Sequence, residues 1–144
     1  MKRLLLSTIL LASSTLFAGD AWQTDYKAAL EQGAKENKPV LLDFTGSTWC
    51  PPCKMMKKDV FSTPDFLDFA RKNLVLVELD FLPGGKPAVV QYEKQNLALA
   101  EKYQIEGFPT AILLAPNGKE LARNVGYLPG GPKAFLKWIE KSAK

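Results

Sequence analysis

Histidine is absent from the 144 residues. Its absence excludes imidazole-based acid–base catalysis and nearly every metal site that depends on an imidazole ligand. Cysteine is scarce, with Cys50 and Cys53 the only two. A tetrahedral zinc site takes four nitrogen or sulfur ligands, more than this chain can supply by itself, so no metal site is expected. A dominant charge of one sign is lacking too. Nineteen Lys and Arg stand against fifteen Asp and Glu, a formal net charge of +4. Lys57, Lys58, Arg71, Lys72, Lys137 and Lys141 are scattered and read as solvated helix faces, so nucleic acid is not an expected partner. No apolar run is long enough to span a bilayer. The uncharged stretch Leu4–Phe17 falls short of the roughly 20 residues that a membrane helix needs. Gly84-Gly85-Lys86 lacks both the leading glycine and the trailing hydroxyl of a phosphate loop and reads as a turn. What remains is one domain's worth of chain, 47% apolar and 24% charged, as expected of a soluble globular protein.

The N-terminus has the layout of an export signal. Met1-Lys2-Arg3 is a short positive segment, Leu4–Phe17 an apolar one, and small residues follow at Ala18, Gly19 and Ala21. Residues 1–21 are therefore expected to be a signal peptide cleaved after Ala18 or Ala21, leaving a domain over 22–144 in the periplasm or secreted. No cysteine lies near the cleavage region, which argues against a lipid anchor. Export would put Cys50 and Cys53 in an oxidising compartment. Small exported domains that depend on disulfides for stability usually carry four, six or eight cysteines. A single pair points to reactivity rather than to stapling.

Apolar spacing predicts a helix over Thr24–Asn37 with Thr24 as its cap, then a buried strand Val40–Phe44. Two helices follow, Lys54–Val60 and one from Ser62 to about Lys72 with Pro64 in its first turn. A second buried strand spans Leu74–Asp80, a Gly/Pro loop Phe81–Pro87, and a long helix Ala88–Tyr103. Strands Thr110–Ala115 and Glu120–Gly126 flank an Asn117-Gly118 turn and should pair antiparallel. Lys133–Ser142 closes the chain as an amphipathic helix. The order predicts an α/β fold, a central mixed sheet with helices on both faces.

Cys50-Pro51-Pro52-Cys53 lies where a strand-derived loop meets a helix. At that spacing the two sulfurs can close a small, exposed disulfide at the helix start, where the dipole favours thiolate over thiol. Cys50 is then the expected nucleophile, with Lys54 and Lys57 adding positive potential. Cys53, one turn further in and less exposed, is the expected resolving thiol. Pro51 suits an early helical position, and with Pro52 it stiffens the ring and removes two amide donors. Met55 and Met56 follow directly. They read as filling the helix–sheet interface, and the alternative is a soft copper(I)-binding or metal-site assembly module.

Trp49-Cys50-Pro51-Pro52-Cys53-Lys54 after Asp43-Phe44, together with Tyr103-Gln104-Ile105-Glu106-Gly107-Phe108-Pro109-Thr110, resembles the thioredoxin family. The Asp43-to-Ser47 lead-in and Val60-Phe61-Ser62-Thr63 are similar to exported bacterial members of the thiol:disulfide interchange type. The resemblance implies a thioredoxin-like fold and a redox-active Cys50–Cys53 disulfide. It implies a cis-proline at Pro109 and a substrate-binding surface formed by Trp49, Phe108 and Pro109, with the Phe108 backbone facing an extended substrate. It makes Asp43 the buried carboxylate that relays the proton of Cys53, with a pKa raised by its apolar strand. Two departures stand out. Asp43 lies one residue further from Cys50 than in the family pattern, and Pro51-Pro52 replaces the Gly-Pro of reducing thioredoxins. The expected activity is thiol–disulfide oxidoreduction without a bound cofactor, since the electrons reside in the cysteine pair. Expected partners are protein substrates with disulfides or thiols and a membrane-bound electron donor, with reduction ahead of oxidation or isomerisation. Nothing calls for an oligomer, and a monomer is expected.

Overall fold

A computed structural model of the chain describes residues 21–144, so the expected signal peptide lies almost wholly outside the described residues. Five strands form one sheet: β1 (Trp22–Gln23), β2 (Val40–Thr45), β3 (Val75–Asp80), β4 (Thr110–Leu114) and β5 (Glu120–Val125). Their order across the sheet is β1-β3-β2-β4-β5. β3 runs parallel to both β1 and β2, whereas β4 is antiparallel to β2 and β5. The helices are α1 (Tyr26–Glu36), α2 (Pro51–Met56), α3 (Pro64–Asn73), α4 (Glu93–Lys102) and α5 (Gly131–Ser142). Among the described residues, no helix is long and apolar enough to cross a membrane.

The two-residue side-chain period of β2 divides the core. Val40, Leu42 and Phe44 point to the layer of Ala29, Leu99 and Tyr103 from α1 and α4. Leu41 points to the other layer, where α2, α3 and α5 supply Met56, Phe66, Ala70, Phe135 and Ile139. Asp43 lies in phase with Leu41, which puts its carboxyl on the α2 side of the sheet. Fully burying one phenylalanine such as Phe66 or Phe135 contributes about 1.5–3 kcal/mol.

Three local expectations are corrected, and one strand is added to those expected. β1 was not foreseen: Trp22 and Gln23 pair with Leu76 and Val77, and Trp22 packs on Phe61 and Phe66. The cap of α1 is Asp25, not Thr24; its carboxylate accepts from the Ala28 amide at 2.9 Å. The helix bearing Cys53 starts at Pro51 and continues as a π-helical turn over Lys57–Phe61. The segment before α4 is a 3₁₀ turn, Val90–Tyr92, rather than helix from Ala88 onward.

Candidate active site

The turn between β2 and α2 is built on Gly46. Its carbonyl accepts from the amides of Trp49 (3.2 Å) and Cys50 (2.9 Å), folding the chain back so that Cys50 caps α2. A Cβ at Gly46 would stand 2.7 Å from the Trp49 ring and 3.0 Å from the Cys50 Cβ, so only glycine fits there without displacement. Asp80, at the end of β3, holds the same turn. One carboxylate oxygen accepts from the Ser47 amide at 2.8 Å and the other from the Ser47 hydroxyl. Trp49 is anchored by its indole N–H, which donates to the Phe81 carbonyl at 2.8 Å. Sequence reasoning gave no role to Gly46, Ser47 or Asp80; the Gly46-Ser47 pair in the loop before Trp49 was the available signal.

Cys50 and Cys53 form a disulfide with Cα atoms 5.3 Å apart. The expectation of an exposed ring is corrected: Cys50 is only 3% exposed and Cys53 2%, so the two differ little. Trp49 and Phe108 meet edge to face, 6.0 Å between centroids, and the Phe108 carbonyl lies 3.7 Å from the Cys50 sulfur. These neighbours shield the ring while Trp49 itself stays 39% exposed. The Cys53 sulfur accepts from the Gly46 amide at 3.4 Å, a contact that also favours a thiolate at that atom. The Phe108–Pro109 peptide bond is cis. The two methionines differ: Met56 is in the core, whereas Met55 is exposed and does not fill the interface.

Asp43 is 5% exposed, and its Oδ1 has no hydrogen-bond partner. Burial pushes its pKa from 3.8 up to about 8; nearby Glu78 and Asp80 add to the rise and Lys57 opposes it. The Lys57 ammonium is 3.6 Å from Glu78, and both residues line a cavity of about 910 Å³ that also reaches Asp43.

A buried disulfide at a helix start, a buried carboxyl on the strand beneath that helix and an aromatic shield define a thiol–disulfide oxidoreductase. The thioredoxin-like domain profile matches residues 26–143. The chain is 34% identical over 123 residues to the disulfide bond reductase DsbH of Chlamydia pneumoniae, covering 85% of this chain and 72% of that protein. It is 35% identical over 127 residues to the thioredoxin-related protein DsbJ of the same organism, but spans only 36% of it. For the thiol:disulfide interchange protein DsbD of Pseudomonas fluorescens, identity is 29% over 113 residues and 18% of that protein is spanned. The solved DsbH oxidoreductase superposes with a TM-score of 0.75 at 31% identity, covering 94% of both chains. A thioredoxin from Thermus thermophilus, at 24% identity and a TM-score of 0.63, shares the fold. The chain belongs to the thioredoxin-like family and is an oxidoreductase of the DsbH and DsbJ type.

Proposed function

We propose that the protein is an exported disulfide reductase in which Cys50 attacks and Cys53 resolves. The observation that carries this reading is the placement of buried Asp43 on the sheet face beneath the helix that holds Cys53. In the reduced enzyme the Cys50 thiolate attacks a substrate disulfide, forming a mixed disulfide and expelling one substrate thiolate. Asp43 takes the proton of Cys53, whose thiolate then attacks the Cys50 sulfur. The Cys50–Cys53 bond forms, the Cys50–substrate bond breaks, and the second substrate thiolate leaves. Two electrons have passed to the substrate, whose thiolates take protons from water. A donor dithiol restores the enzyme by the reverse steps, and Asp43 then gives its proton to the departing Cys53 thiolate.

Likeness to a protein named a disulfide bond reductase supports the reducing direction. DsbD relatives support a membrane-bound donor, and the charge and apolar layout of residues 1–21 supports export to the periplasm. Trp49, Phe108 and Pro109 form the docking face, with the Phe108 backbone pairing with an extended substrate. That mode of binding is tolerant of sequence and suits a reductase with several protein substrates. The test is a trap. Cys53→Ser should accumulate mixed disulfides through Cys50 with disulfide-bonded proteins, and Cys50→Ser should accumulate none. Equal trapping by both variants would overturn the assigned order of attack.

A further inference from the structure

β2 and β3 run parallel, so both end at the same edge of the sheet. From that edge β2 delivers the turn that presents Cys50, and β3 delivers Leu82–Lys86, a segment to which the thiol exchange assigns no role. The segment is a short hairpin. Phe81 and Pro87 face each other in an antiparallel bridge, and the Leu82 amide donates to the Lys86 carbonyl at 2.7 Å. The Gly85 amide donates to the Leu82 carbonyl at 3.1 Å. Pro83 before Gly84 at a φ of +83° and Gly85 at +80° suits such a turn, since proline presets one angle and glycine takes the left-handed one without strain. The hairpin is therefore preformed, and its base is tied to the redox turn. The Ala88 amide donates to the Asp80 carbonyl at 2.9 Å, while the Asp80 carboxylate holds Ser47. The Phe81 carbonyl holds the Trp49 indole, and the Phe81 ring packs on Phe108 at 5.2 Å between centroids.

Phe81 and Pro87 at the base are buried, whereas Leu82–Lys86 is exposed throughout. A Cβ at Gly84 or Gly85 would meet nothing within 4 Å, so the tip stands clear of the described chain. Two residues of extended chain carry the tip roughly 7 Å beyond Phe81, more than the roughly 5 Å between neighbouring strands. A strand docked on the Phe108 backbone therefore lies within reach of the hairpin. Two side chains are on offer there. Leu82 follows directly on the carbonyl that holds the half-exposed Trp49 and is itself exposed. Lys86 has no ion-pair partner among the described residues.

We propose that Leu82–Lys86 is a substrate-selecting hairpin. Leu82 extends the apolar contact of Trp49, and Lys86 pairs with a carboxylate, so the preferred substrates are polypeptides whose disulfide is flanked by an acidic residue. The inference rests on the reductase reading above and names the substrate class that reading leaves open. Main-chain pairing at Phe108 tolerates many sequences, so selection falls to the side chains that flank it. A preformed hairpin has little conformational freedom left to lose on docking, which leaves more of its contact energy for binding. The ion pair forms at an exposed rim, so it sorts substrates rather than holding them tightly. The hairpin acts on docking alone; the exchange steps at Cys50 and Cys53 are unaltered.

The experiment uses two synthetic peptides, each with a single cysteine in a mixed disulfide with 2-mercaptoethanol. They are identical except for Glu or Lys placed two residues to either side of that cysteine. The reduced full chain is mixed with each at low salt and the reaction is timed by acid quench and thiol trapping. Every rate is divided by the same variant's rate on hydroxyethyl disulfide, which is uncharged and too small to span the hairpin. For wild type the Glu peptide should react about fivefold faster than the Lys peptide, and Lys86→Glu should invert the order. A merely structural role for Lys86 would not invert it. Leu82→Ser should slow both peptides and keep their ratio. Equal wild-type rates on the two peptides would overturn the proposal, as would Leu82→Ser rates equal to wild type. An unchanged ratio in Lys86→Glu would also overturn it and assign the preference to another cation, such as the exposed Lys54. A wild type that reduces neither hydroxyethyl disulfide nor either peptide would count against the reductase reading instead, so the two failures are told apart.

Discussion

Asp80 grips Ser47 twice, through its backbone amide and its hydroxyl, and so ties the end of β3 to the turn that presents Cys50. Removing the carboxylate leaves the Ser47 amide without its protein acceptor and frees the turn. Asp80→Ala should lower stability by about 1–3 kcal/mol. It should also slow the attack of Cys50 on protein disulfides more than loss of stability alone accounts for. Urea unfolding and single-turnover kinetics on the same preparation separate the two effects.

Gly46 is fixed by space rather than by backbone angle. Gly46→Ala drives a methyl group into the Trp49 ring and the Cys50 Cβ. Overpacking of this kind costs about 1–3 kcal/mol. Thermal unfolding should report the loss, and the Trp49 fluorescence difference between oxidised and reduced protein should shrink as the ring is displaced.

Asp43 makes stability depend on pH. Below about pH 4 its carboxyl is protonated in both folded and unfolded chains, and burial carries no ionisation penalty. Between that point and about pH 8 the unfolded chain ionises while the folded one stays neutral, so stability falls as pH rises. Above about pH 8 the penalty is complete. Asp43→Asn removes it and should be more stable than wild type at pH 8, on the order of several kcal/mol, with the advantage vanishing near pH 4. Denaturant midpoints across this range check the sign. The same variant should resolve mixed disulfides more slowly, because Cys53 has lost its proton acceptor.

Phe135 ties α5 to the π-helical turn and α3, meeting Phe61 and Phe66 at ring-centroid distances of 5.1 and 6.0 Å. Phe135→Ala should cost about 3–5 kcal/mol while leaving the Cys50–Cys53 potential unchanged. Calorimetry and a redox titration of the variant test both halves.

Much of this was legible in the sequence, for reasons that differ by element. β2, β3 and β4 announce themselves because buried strands read as near-continuous apolar runs, and Asn117-Gly118 marks the hairpin. Cys50 and Cys53 stand out because no other cysteine or histidine competes for attention. β1 was hidden, since two residues show no period and Trp22 is held by long-range contacts, pairing with Leu76 and packing on Phe61 and Phe66. The π-helical turn was hidden too, because Met56, Val60 and Phe61 suit an α-helix equally well. Burial of the disulfide depends on long-range contacts, Trp49 with Phe81 and Phe108, that spacing does not encode. Glu78 was visible as a lone acid within the apolar Leu74–Leu79 run, but its meaning depended on the register that sets it beside Asp43.

The most direct test of the account is the reduction potential of Cys50–Cys53, measured by thiol trapping in dithiothreitol and glutathione buffers. A reductase supplied by a donor should titrate as a two-electron couple near the thioredoxin value of about −270 mV. A potential near about −120 mV, that of a strong oxidant, would contradict it.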